Sequence, residues 1–342
     1  LYTELAGYFI SCVKELAEKN NVEVHIVRWP INKEAPFGFN FPGSIKIYER
    51  SGYAEKELYD LVEEISPDLI YCAGWMDKGY LGICKKWRGK VSTILGFDNK
   101  WEGSLKQRLS LIYAKTIFLD SFSQCFIPGE PQISFAKKMG FNAGNILTGV
   151  YCADVSYFNG LYSKYIEQKE RNFPKRFVFV GRYNEAKDVE TLWKAFIEIQ
   201  QEQPNDWELW CIGTGDVKPI IHPKIKHMGF VQPSDIWNYI SETGVFVLPS
   251  KFEPWGVVVH EFAAAGFPLI CSNRVGAASS FLEEGSNGFI FQGGNVEELK
   301  KCFNKIIDMN NGTLLAMAKK SVELSLRITP KKWSETLLKL LN

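Results

Sequence analysis

Residues 249–266 read PSKFEPWGVVVHEFAAAG, placing Glu253 three residues before Gly256 and Glu261 five residues after it. A strand ending at Pro249–Ser250, a short loop and a helix starting at Gly256 would leave the backbone N–H groups of Gly256, Val257 and Val258 without intrahelical acceptors. Such a helix start binds anions. Two carboxylates beside a bound phosphate must themselves hold neutral donors, and sugar or ribose hydroxyls fit that description. Arg182 and Lys187 follow a second apolar run, FVFVG, and would offer positive charge to a leaving diphosphate. Each pair taken alone also reads as a solvated polar surface. Cations after one strand and glutamates after another, in one chain, favour a shared crevice.

The elements needed to position these groups follow from periodicity. Apolar runs at 22–29, 68–75, 91–96, 116–120, 123–127 and 145–151 alternate with helical patterns at 1–19 and 54–65, and a helix end is expected over 137–141, so βαβ units and a parallel sheet are expected. The polar stretch 151–175 reads as a linker or hinge. A second alternation follows, with strands at 176–182, 207–215, 225–231, 245–250 and 267–273 and helices at 188–202, 234–242 and 256–265. In doubly wound sheets ligands sit beyond the carboxyl ends of the strands, so the loops after 181, 213 and 249 should share one crevice. Thr329 and Pro330 would cap and start a last helix. The expected fold class is α/β: two Rossmann-like doubly wound domains facing a central cleft, with domains over 1–155 and 156–325 and a C-terminal helix, 326–342, packing back on the first. Because Leu1 opens directly on a helical pattern, the first strand is expected to be missing.

Composition narrows the function classes. With 46% hydrophobic and 23% charged residues the 342-residue chain can bury sizeable cores, and its net charge of +1 carries no nucleic-acid signature. The eight cysteines lack CxxC pairs or partnering histidine spacing, so neither zinc nor a disulfide framework is expected. A cytoplasmic, soluble or peripheral protein is expected, with no apolar run approaching the ~18 residues of a spanning helix.

Residues 176–300 resemble the donor domain of the retaining glycosyltransferases with the two-domain B-type fold, specifically the large family four. VGRYNEAKD resembles that family's strand–Gly-Arg–loop–Lys segment, EPWGVVVHE its Glu-x7-Glu signature, and SNGFIF its later turn. The resemblance implies that Arg182 and Lys187 bind donor phosphates, Glu253 the sugar and Glu261 the ribose. It further implies diphosphate contacts from the N–H groups of Val257 and Val258, nucleobase contacts near Phe230 and Val231, and Gly213 and Gly215 beneath the nucleotide. For those glycines a tight turn after a strand stays open as the alternative. The co-substrate implied is a UDP- or GDP-sugar, with no cofactor and no metal. Family members often carry a histidine in an N-domain loop near the sugar, but none of His25, His222, His227 and His260 falls in TILGFDNKWEG. Asp98 is the candidate there, with a turn-forming Asp-Asn as the open alternative. His260, beside Glu261, reads as structural.

Lys85, Lys86, Arg88, Lys90, Lys100, Lys106, Arg108 and Lys115 are interleaved with Trp87, Trp101, Leu105, Leu109, Leu111, Ile112 and Tyr113. A basic amphipathic helix docking on anionic lipid is one reading, and a solvated basic face covering core leucines is the other. The implied partners are a nucleotide-sugar donor, a glycan or lipid-linked acceptor and an anionic membrane surface, but no nucleic acid. A catalytically idle nucleotide-binding subunit and a nucleotide-sugar epimerase remain the competing readings.

Overall fold

The computed structural model describes residues 1–3, 5, 7–30, 41–232 and 235–341. The chain divides into two compact units, Leu1–Cys152 with Ile328–Asn342, and Ala153–Arg327.

The first unit begins with α1 (Gly7–Asn20), β1 (Val24–Arg28), β2 (Ile45–Glu49) and α2 (Glu55–Ile65). It continues through β3 (Leu69–Ala73), α3 (Lys78–Trp87), β4 (Ser92–Gly96), α4 (Leu105–Ser121), β5 (Gln124–Ile127), α5 (Glu130–Lys138) and β6 (Ile146–Thr148). Strands β3 to β6 lie in sequence order as a four-stranded parallel sheet, and β1 pairs in parallel with β2. Between these two sheets Leu1 and Tyr2 are extended. The Leu1 amino group donates to Tyr71 O at 2.8 Å. Ala73 N donates to Leu1 O at 2.9 Å, while Tyr2 N donates to Val27 O at 2.8 Å. The helix expected from residue 1 therefore starts only at Gly7, because the backbone of Leu1 and Tyr2 is engaged laterally by β1 and β3.

The expected strand at 116–120 is also corrected: these residues belong to α4. Ala114, Phe118 and Ser121 are buried at spacings of four and three, the period of a helix packing one face on a core.

The second unit opens with α6 (Val155–Arg171), which occupies most of the expected 151–175 linker. Asp154 caps it by accepting from Tyr157 N at 3.1 Å, and Val155, Phe158 and Leu161 are buried. Three apolar residues at helical spacing suffice when the later helices Val257–Ala264 and Asn311–Ser325 cover them, as they do here. The unit then runs β7 (Arg176–Val180), α7 (Val189–Glu202), β8 (Glu208–Ile212), β9 (Ile225–Gly229), α8 (Trp237–Ile240) and β10 (Val245–Leu248). Next come α9 (Val257–Ala264), β11 (Leu269–Ser272), α10 (Ala278–Phe281), β12 (Gly288–Phe291), α11 (Val296–Ile307) and α12 (Asn311–Ser325). The helix expected at 234–242 is shorter in the structure, and Ser234 lies outside the described residues.

These strands form a six-stranded parallel sheet in the order β12-β11-β10-β7-β8-β9. Every residue of β10 and β11 is buried, as strands covered by helices on both faces must be. The last helix, α13 (Pro330–Leu338), packs on α1 in the first unit. Thr329 caps it, and the Trp333 indole donates to Val150 O at 3.1 Å.

Candidate functional site

In the second unit chain order reverses between β7 and β10, which are neighbours although three strands apart in sequence. Loops leaving such neighbours part to opposite sides and open a crevice at their carboxyl ends. Arg182 and Lys187 leave β7 there, and Glu253 and Gly256 leave β10 there.

Backbone bonds tie the two loops together. Lys251 N and Phe252 N both donate to Ala186 O, at 2.9 and 3.2 Å. The Lys251 ammonium pairs with Asp188 at 2.7 Å. Asn184 accepts from Lys187 N at 3.0 Å and so shapes the turn carrying that lysine. On the other side Gly276 N donates to Glu253 O at 3.1 Å and Ala277 N to Trp255 O at 2.9 Å. Within this frame the Lys187 ammonium forms an ion pair with Glu253 Oε2, both side chains being largely buried. Arg182 is exposed at the end of β7.

Gly256 has φ 92° and precedes α9 as its N-cap, with no side chain bonded to the helix start. That left-handed conformation suits glycine, and a Cβ there would press on Glu253 Cγ at 3.0 Å. Gly256 therefore lies just outside the helix. The N–H groups of Val257 and Val258 occupy the first turn, where no intrahelical acceptor exists.

Glu261, one turn further along α9, is partly buried. Burial, reinforced by the Asp154 carboxylate, pushes its carboxyl up to about 7. Its neighbour His260 is fully buried and held at both nitrogens. Nδ1 accepts from Ala153 N at 3.1 Å, and Nε2 meets Ser325 O at 2.9 Å. Burial lowers its pKa to about 4, so a neutral imidazole joins the start of α6 and the end of α12 to α9.

Gly213 and Gly215 owe their identity to close backbone approach. A Cβ on Gly213, where φ is 135°, would lie 1.9 Å from Gly181 O, and one on Gly215 would lie 2.3 Å from Tyr183 O. Each abuts the chain leaving β7, and Gly213 N also donates to Gly229 O at 2.7 Å. Phe230 and Val231 follow Gly229, and the Phe230 ring is 48% exposed.

Sequence reasoning missed several residues that build this frame. Asn184, standing three residues before Lys187, was a legible turn-capping signal. Lys251 and Asp188 were not legible as a pair, since only the sheet order brings their loops together. The Ser272 hydroxyl, which donates to Ser250 O at 2.5 Å, is likewise a product of β10 lying beside β11.

Asp98 belongs to the first unit, where it follows β4. It lines a cavity at the carboxyl ends of β3 and β4, with Trp75, Met76, Phe97, Asn99, Tyr71 and Tyr151. Its carbonyl accepts from Gln132 Nε2 at 3.1 Å. Burial holds the Tyr71 and Tyr151 phenols well above their usual range, keeping them as hydroxyls. Among the described residues no group of three His, Cys, Asp or Glu side chains is arranged to hold a metal ion, and no helix is long and apolar enough to cross a membrane.

Residues 174–309 match the family described as Glycosyl transferases group 1. Spore coat protein SA of Bacillus subtilis is 33% identical over 150 residues, which is 39% of this chain and 38% of that protein. Alpha-monoglucosyldiacylglycerol synthase of Acholeplasma laidlawii is 29% identical over 157 residues, 43% of this chain and 38% of that protein. The match thus spans 38% of the length of each of these curated relatives. Across the whole chain the fold is that of Anabaena HepE, crystallised with UDP and glucose, at TM-score 0.71 and 15% identity, covering 99% of this chain and 98% of that one. The chain therefore has the B-type glycosyltransferase fold of two Rossmann-like domains.

Proposed function

We propose that this chain is a retaining glycosyltransferase, resembling family four, that moves a hexosyl group from a UDP- or GDP-sugar to a hydroxyl of a glycan or lipid-linked acceptor. The observation carrying this reading is the Lys187–Glu253 ion pair at the junction of β7 and β10. An ammonium that neutralises phosphate and a carboxylate that accepts from sugar hydroxyls touch one another. A nucleotide sugar presents the same two chemistries one bond apart, at the anomeric carbon and its phosphate. The matched family, and a relative whose name specifies glucosyl transfer on diacylglycerol, support the same reading.

In the proposed reaction the bond from the anomeric carbon to the phosphate oxygen breaks while the acceptor oxygen bonds that carbon from the same face. The departing phosphate takes the acceptor's proton. The task of the protein is then to stabilise a leaving diphosphate. Lys187, Arg182 and the N–H groups of Val257 and Val258 supply that charge, so the proposal includes independence from a metal. Glu253 holds the sugar and Glu261 the ribose, with the nucleobase by Phe230 and Val231. Asp98 sits on the acceptor side. The site of action is proposed as the cytoplasmic face of a membrane.

Two measurements test it. In a thermal-shift screen, a nucleotide sugar at 100 times its dissociation constant should stabilise the protein by ~2.7 kcal/mol. No response to any nucleotide sugar overturns donor binding. Proton NMR of the product, formed in the presence of a chelator, should show the donor's anomeric configuration; inversion overturns the retaining assignment.

A further inference from the structure

One hydrogen bond in the second unit draws together two carboxyl-bearing segments that lie 107 positions apart in the chain. Ala153 N donates to His260 Nδ1 at 3.1 Å; Asp154 follows Ala153, and Glu261 follows His260. The His260 ring is fully buried, stacks on Phe281 at 4.0 Å and meets Ser325 O through Nε2 at 2.9 Å. It is therefore fixed against Ala153, and α6 packs on α9 along this line. Asp154 and Glu261 are both partly buried. The Asp154 carboxylate is the charge that adds to burial in raising the Glu261 carboxyl.

Capping α6 accounts for only part of Asp154. Its Oδ1 accepts from Tyr157 N at 3.1 Å, a task that asparagine or serine performs equally well. A carboxylate brings in addition a second oxygen and a charge, and here it brings them to the neighbourhood of another carboxylate. Two such groups repel phosphate and attract O–H donors. Their place along α9 sets the spacing: Glu261 lies one turn beyond Val257, about 6 Å at 1.5 Å per residue. In a nucleoside diphosphate the vicinal 2′ and 3′ hydroxyls stand one ribose ring away from the 5′-phosphate, which the first turn of α9 would meet.

We propose that Asp154 is a further specificity residue of the donor site, sharing the ribose diol with Glu261 so that each carboxylate accepts from one hydroxyl. This deepens the proposed sugar transfer and rests on it. The donor is then required to carry both hydroxyls, because a missing one leaves a partly buried carboxylate without its partner.

Isothermal titration calorimetry at pH 8, above the Glu261 value of about 7, tests it with UDP and GDP and with the 2′-deoxy and 3′-deoxy forms of whichever binds. The unaltered chain should bind the ribonucleotide about 10- to 100-fold more tightly than either deoxy form, the range of one hydrogen bond to a charged group. Asp154→Asn keeps the cap of α6. It should lose the preference at one hydroxyl, while its affinity for the matching deoxy form stays within about threefold of the parent's. Asp154→Ser, which also caps, should behave in the same way, and Glu261→Gln should lose the preference at the other hydroxyl. Discrimination retained at both hydroxyls by the Asp154 variants overturns the assignment. So does an equal loss of affinity for the ribonucleotide and both deoxy forms, which makes Asp154 a part of the frame alone, and so does loss at the same hydroxyl in the Asp154 and Glu261 variants. An unaltered chain that binds neither UDP nor GDP overturns the donor reading and the assignment with it, an outcome distinct from binding in which the Asp154 variants keep their discrimination.

Discussion

Both units end parallel strands in loops that could receive a ligand, yet the chemistry at those ends differs. Beyond β7 and β10 the second unit gathers Arg182, Lys187, Glu253 and the start of α9, with backbone bonds joining the loops. Beyond β3 and β4 the first unit gathers Trp75, Met76, Phe97, Asp98 and Asn99 with the partly buried Tyr71 and Tyr151, and the described residues lining that cavity include no lysine or arginine. A charged ligand gains from fixed charge only if the charges are held in place, and the loop carrying Lys187 is braced by the bonds of Lys251 and Phe252 to Ala186 O. A neutral, many-hydroxyl ligand needs aromatic faces and a few polar atoms instead. The shared sheet architecture thus ends in paired charges in one unit and, among the described residues lining the cavity of the other, in aromatic and polar side chains without lysine or arginine.

The most severe way to break this contrast is Lys187→Ala. If the ammonium stabilises developing phosphate charge by ~3 kcal/mol, turnover should fall about 10²-fold or more. Steady-state kinetics with the donor identified by thermal shift would read it, and unchanged kcat would remove Lys187 from the anion site.

Gly213→Ala acts on the frame instead of the charge. The new Cβ would meet Gly181 O in a backbone conformation unfavourable to alanine, so stability should drop by about 2 kcal/mol or more in urea unfolding. A neutral effect would mean that the β7 and β8 loops are not rigidly packed.

Glu261 sharpens the comparison through pH. Its folded-state pKa, about 7, lies above the ordinary 4.5, so between those values the native state binds the extra proton and stability falls as pH rises. Glu261→Gln should remove that decline and leave the protein more stable than the parent at pH 8, by about 1–3 kcal/mol. Donor affinity should instead strengthen through pH 7 in the parent, as the carboxylate that accepts ribose hydroxyls forms, and be flat in the variant. Parallel pH profiles would discard the ribose role.

The smallest effect is expected in the first unit. Asp98→Asn should raise the acceptor KM about three- to tenfold, the loss of one charge-assisted hydrogen bond, while leaving the donor KM alone. Equal changes in both constants would erase the division of labour between the units.

Much of this site was legible because the relevant signals are local. An apolar run ending in Pro-Ser, a glycine and an apolar helix specify a strand, a turn and a helix start, and Gly-Arg after FVFV specifies a strand end. Other segments misled for equally physical reasons. TIFLD looks like a strand, yet Ala114, Phe118 and Ser121, buried at helical spacing, span its whole length. The polar stretch after Cys152 looked like a linker because α6 buries only a narrow face, and its partners α9 and α12 lie about a hundred residues or more further along the chain.

From the sequence alone came the α/β class, the strand ends bearing charge and the helix start that could face a phosphate, since hydrophobic period and turn chemistry are properties of neighbouring residues. Only the tertiary structure decided that β7 lies beside β10, that Lys187 meets Glu253, that Lys251 braces Asp188, and that Leu105, Leu109 and Ile112 face outward. Each depends on which distant segments pack together, and burial and charge pairing are settled by that packing rather than by residue type.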